Sequence, residues 1–147
     1  MKMTNKEYDE YVKKMSPNSP IGTNMIKAFV IGGLICCIGQ AILDGYKSAG
    51  LPQELAATAT SITLVFIGAL LTGMKVYDKI AKVAGAGTLV PITGFANAVV
   101  SPALEFKAEG VITGTAAKMF IIAGPVIVFG TVASTVYGIV LVLFSLA

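Results

Sequence analysis

The chain of 147 residues contains no histidine, its positive charge is carried by lysine alone, and cysteine occurs twice. Without histidine it lacks the commonest general base and the commonest metal ligand. Without arginine it lacks the planar fork that grips a phosphate through two bonds, and a net charge of +3 built from lysine does not describe a nucleic-acid surface. Cys36 and Cys37 are adjacent in the middle of an apolar run, where they read as small packing residues with no redox or metal role. Charge is also scarce: 13% of residues, against about 25% in a soluble globular domain. An intramembrane hydrolase would need a nucleophile and a base at depth, yet Asp44 and Asp78 fall at helix ends. No enzyme, cofactor or metal site is expected.

Apolar sequence is what the chain has in quantity: 55% of residues are hydrophobic and the mean hydropathy is +0.80. Four stretches, 28–43, 55–74, 83–104 and 119–147, carry no charge; they hold 16, 20, 22 and 29 residues. Roughly 20 apolar residues cross a bilayer as a helix. The first stretch suffices because Lys27 can snorkel at its edge. The expectation is an all-α integral membrane protein with three full transmembrane helices, about 25–43, 55–74 and 119–143, one glycine- and proline-broken segment at about 83–104, and a short amphipathic helix in a 1–24 N-terminal segment. That segment contains Glu7, Asp9 and Glu10, unlike a cleavable signal peptide, so the first span reads as a retained signal anchor.

TNKE at 4–7 fits a capping box, Pro17 and Pro20 stop the helix, and Tyr8, Tyr11, Val12 and Met15 share one face. That face suits either the membrane surface or a docking partner. In the first span Gly32, Cys36, Gln40 and Asp44 recur every fourth residue, a face of small or polar groups that should meet protein. Gln40 fits helix packing or pore lining equally. Thr58, Ser61, Gly68 and Thr72 mark a similar stripe on the second span, and Gly130, Ser134 and Gly138 a packing face on the last, whose Pro125 predicts a kink. Five lysines lie before the first span or at its leading edge, three follow the second in KVYDKIAK at 75–82, and only Lys47 lies between. The positive-inside rule places the N-terminus and the 75–82 loop in the cytoplasm.

The broken segment GAGTLVPITGFANA, 85–98, resembles no ordinary span. Gly85, Gly87, Pro91, Gly94 and Pro102 supply a hinge or re-entrant turn, and non-helical backbone at membrane depth survives only against protein or water. Thr93, Asn97, Ser101, Glu105 and Glu109 follow at intervals of four, a slanting polar seam. Two readings remain. The favoured expectation is that the segment is re-entrant, turning back and lining a wet cavity; the alternative is that it crosses as a kinked helix whose polar groups bond its neighbours. The glycines do not make a P-loop, since the Gly-Lys-Ser/Thr ending is missing.

GGLICCIGQ at 32–40, GAGTLVPITGFANA at 85–98 and LEFKAEG at 104–110 closely resemble the stage V sporulation protein AC family, one of the SpoVA membrane proteins of endospore-forming bacteria. The AEB paralogues share the glycine-rich motifs but lack a polar N-terminal extension like residues 1–24, which favours AC. The resemblance implies the forespore inner membrane, dipicolinic acid with calcium as cargo, and opening under membrane tension. It also implies partnership with the AEB subunit in the membrane and a soluble AD subunit. Three or four helices cannot enclose a wide aqueous path, so a homo- or hetero-oligomer in membrane lipid is expected. In that frame Thr93, Asn97 and Ser101, with Gln40, are the expected pore lining, and Lys107 or Lys118 attracts the anion near one mouth. The alternative is a non-conducting scaffold that anchors the soluble partner.

Overall fold

In the computed structural model, which describes residues 4–16 and 19–144, all regular structure is helical. Pro17 lies outside the described residues. Helix α1 (Asn5–Met15) begins with the capping box: Glu7 N–H donates to Thr4 Oγ1 at 3.4 Å, and Thr4 N–H to Glu7 Oε2 at 2.8 Å. An Asp9–Lys13 pair at 2.7 Å adds an i,i+4 contact. Tyr8, Tyr11, Val12 and Met15 are all exposed, and among the described residues none buries this apolar face.

Helix α2 (Ile21–Ser48) and helix α3 (Gln53–Gly73) form an antiparallel pair joined by residues 49–52. Helix α2 outruns the apolar stretch at both ends because only Pro20 and then Gly50, at φ +93°, interrupt it. Small residues and one polar bridge join the pair: Gly39 packs on Leu64, and the hydroxyls of Tyr46 and Thr63 lie 2.7 Å apart. Both helices are long and apolar enough to cross a membrane, as is the continuous stretch Val111–Leu143, which begins with a π-helical turn (Val111–Ala116) and continues as α7 (Ala117–Leu143). Pro125 lies inside α7 and costs it one hydrogen bond without ending it.

Between α3 and α7 the chain forms α4 (Tyr77–Ala84), one helical turn α5 (Ala86–Leu89), α6 (Ile92–Glu105) and a 3₁₀ turn at Lys107–Glu109. At 14 residues α6 is about 21 Å long, short of the roughly 30 Å hydrocarbon core. Its direction is read from its partners. Gly68 meets Thr93 and Ala96, Thr72 bonds Asn97, and Lys75 and Asp78 share a hollow with Ser101 and Glu105. Rising numbers on α3 meet rising numbers on α6, so the two run parallel and finish at the same end of the bundle. The chain therefore dips in after α4, turns at Pro91 and returns to the end it left. The segment is re-entrant, and α7, antiparallel to α6 with Lys118 on Phe106 and Ile122 beside Asn97, carries the chain away to the opposite end. Lys75, Lys79, Lys82 and Lys107 thus gather at one end.

Candidate functional site

The re-entrant hairpin is shaped by residues that permit close approach. Gly85, at φ +52° and ψ −121°, takes a conformation that side chains disfavour and turns the chain from α4 into α5. Gly87 then lies against α2: a Cβ there would collide with the Ala28 carbonyl oxygen and stand 2.9 Å from Ala28 Cα. Gly32 opens the gap on the other side, a Cβ at that position reaching 3.2 Å from the Gly87 oxygen. Pro91, with no N–H to donate, breaks the helical ladder and serves as N-cap of α6, its carbonyl accepting from Gly94 N–H at 2.8 Å. Gly94 slides under the preceding limb, where a Cβ would strike the Thr88 carbonyl oxygen. Pro102 sits inside α6, which ends three residues later at Glu105.

A broken helix leaves carbonyls without their usual donors, and in a membrane those must be satisfied by protein. Tyr77, 4% exposed, supplies one: its hydroxyl donates to the Thr88 carbonyl at 2.8 Å and lies 3.1 Å from Thr93 Oγ1. The phenol has one proton, and the carbonyl can only accept, so the Thr93 hydroxyl donates back to the phenol oxygen. On the other face of α6, Thr72 Oγ1 bonds the Gly68 carbonyl at 2.7 Å and lies 2.9 Å from the Asn97 side-chain amide. One hydroxyl proton cannot serve two acceptors. The Gly68 carbonyl already has its place in the helical ladder, so the proton goes to Asn97 Oδ1, which leaves the Asn97 NH2 turned to the hollow beside it.

That hollow, about 430 Å³, is bordered by Asn97, Ser101 and Glu105 of α6, Tyr77 and Ala81 of α4, and Ile122 of α7. A second hollow opens between α6 and the α3–α4 junction, where Ser101 and Glu105 meet Thr72, Lys75 and Asp78. Asn97 and Ser101, both half-buried, thus border the same hollow. Thr93 does not join them, being buried at 6% exposure and committed to Tyr77. Gln40 is also apart: it is exposed on α2 and donates to Asp44 at 2.9 Å, because the hairpin comes from the other end and stops near mid-depth. Lys107 is exposed in the 3₁₀ turn, and Lys118 Nζ stands 4.3 Å from the centroid of the Phe106 ring, a cation–π pair.

Of the packing residues, Gly32 meets Gly87, and Cys36 borders an apolar hollow with Val90 and Pro91. Gly130, Ser134 and Gly138 find no such neighbour; a Cβ at either glycine would meet open space. Tyr77 and Gly114 emerge only in three dimensions, as does the bond from Thr72, already part of the second span's stripe, to Asn97. Gly114 admits the Phe106 carbonyl, and Tyr77 lies in a block whose lysines dominate its sequence signal. Among the described residues no group of three or more metal-binding side chains comes together.

The model of the SpoVAC/SpoVAEB sporulation membrane protein family matches residues 24–140. Stage V sporulation protein AC of Bacillus subtilis (strain 168) is 47% identical over 141 residues, covering 94% of each chain. No solved structure matches the chain.

Proposed function

The chain belongs to the SpoVAC/SpoVAEB family of sporulation membrane proteins, and on that premise we propose that it is a subunit of a spore inner-membrane channel that moves dipicolinic acid with calcium during sporulation and germination. The observation that carries this reading is the re-entrant hairpin, which brings Asn97 and Ser101 to the edge of one hollow beside a broken backbone, as discontinuous segments do in transport proteins. An amide NH2 and a hydroxyl bind a passing solute weakly enough to release it. The four lysines gathered at one end suit attraction of a dicarboxylate and, by the positive-inside rule, a cytoplasmic position with the N-terminus.

One chain supplies three spans, too few to enclose a wide path, so the pathway is built with further copies, with the AEB paralogue, or both. The channel opens under membrane tension and works with the soluble AD subunit. Efflux of dipicolinate from liposomes under osmotic downshift, with and without the paralogue, tests this: flux that falls when Asn97→Leu is introduced supports the lining assignment. No flux in either preparation overturns a direct conducting role.

The exposed apolar face of α1 favours a second role as a dock for the soluble partner, and a scaffold that only docks is the competing reading. Deleting residues 1–20 separates them. Lost recruitment with intact flux identifies a channel carrying a dock; flux supplied wholly by the paralogue identifies a scaffold.

A further inference from the structure

We propose that Tyr77 is a positioning residue that clasps the two limbs of the re-entrant hairpin and thereby sets how readily the hairpin opens. The limbs belong to different helices. The first, α5, packs on α2 through Gly87 and Gly32; the second, α6, packs on α3 through Thr93 and Gly68. Between them lies Pro91, across which no helical hydrogen bond is available. Any lateral separation of α2 from α3 therefore pulls the limbs apart at this turn. The buried Tyr77 hydroxyl bridges it, reaching the Thr88 carbonyl on one limb at 2.8 Å and the Thr93 hydroxyl on the other at 3.1 Å. Tyr77 opens α4, four residues after α3 ends, and α4 packs on α2, α3 and α5.

The gating half of this inference rests on the channel reading above; the clasp itself does not. Removing one net hydrogen bond moves a two-state equilibrium by a factor of about five. Tyr77→Phe keeps the ring and its packing while removing the bond to Thr88. Thr93→Val removes the other arm and leaves the phenol in place.

The experiment uses the full chain in liposomes loaded with dipicolinate, with amide hydrogen exchange and efflux under graded osmotic downshift measured on the same preparations. Tyr77→Phe is expected to speed exchange of the 85–94 amides about fivefold, with exchange in the middle of α2 and α3 unchanged, and to start efflux at a smaller downshift. Thr93→Val acts in the same direction, and the double variant goes no further than Tyr77→Phe because Thr93 acts through the phenol. Unchanged hairpin exchange in Tyr77→Phe overturns the clasp. Faster exchange with an unmoved efflux threshold overturns its part in gating. Faster exchange in a protein that conducts in no preparation supports the clasp and overturns the channel reading alone.

Discussion

Lys75 and Gly50 occupy the same place in the same motif with unequal comfort. Each follows a membrane-spanning helix with a positive φ, +57° and +93°, and in each case the next N–H reaches back to close the helix, Val76 to Leu71 at 2.9 Å and Leu51 to Tyr46 at 3.2 Å. Glycine adopts this conformation freely, whereas lysine crowds its Cβ at a cost of about 1 kcal/mol. Lys75→Gly should therefore stabilise the protein by roughly that amount, read as a higher thermal midpoint in detergent. Gly87→Ala should act oppositely. Its methyl would meet the Ala28 backbone, which cannot rotate away as a side chain can, so a loss of about 1–3 kcal/mol is expected in the same measurement.

Helix α1 is the element most dependent on local chemistry, since no buried residue supports it. Thr4→Ala removes its N-cap and should cost about 1 kcal/mol of helix stability, seen as faster amide exchange at residues 5–8. The Thr4 backbone N–H first, and its hydroxyl second, hold the Glu7 carboxyl below its ordinary range. A lowered folded-state value means that the contribution is present above the unfolded value and lost as pH falls through the folded one. The first turn of α1 should thus fray on acidification below the usual carboxylate range, and Glu7→Gln should flatten that dependence. Helix α6 shows the opposite balance: a 14-residue piece too short to span, it is held by tertiary contacts to α3 and α7.

At the scale of the whole molecule the notable surface is that of α7. Gly32 and Gly68 are used for close approach within the chain, but Gly130 and Gly138 face open space. Helices in lipid associate through such small-residue faces, and the proposed channel needs several protomers. Gly130→Leu should leave the monomer's stability within about 0.5 kcal/mol of the parent's. It should nevertheless reduce cross-linked oligomer in liposomes; an unchanged ladder of cross-linked species would exclude this face from the contact. The monomer's own core is small-residued, with Ala56, Ala84, Ala96 and Ala123 among its buried positions, which is why assembly rather than a large interior must supply a wide path.

The spans were legible in the sequence because hydropathy is a property of local composition: stretches without charge must lie in lipid, and charges collect where they end. The hinge was legible too, since Gly85, Pro91 and Gly94 carry their backbone preferences wherever they stand. Direction was not, because α6 pointing up or down has the same composition. Only the register of Gly68 with Thr93 and of Thr72 with Asn97 turns the chain back. The same holds for the site. Spacing of four placed Thr93 beside Asn97 and Ser101, but a seam on a helix does not reveal what faces it, and only the fold sets the phenol of Tyr77, sixteen residues earlier, 3.1 Å from the Thr93 hydroxyl.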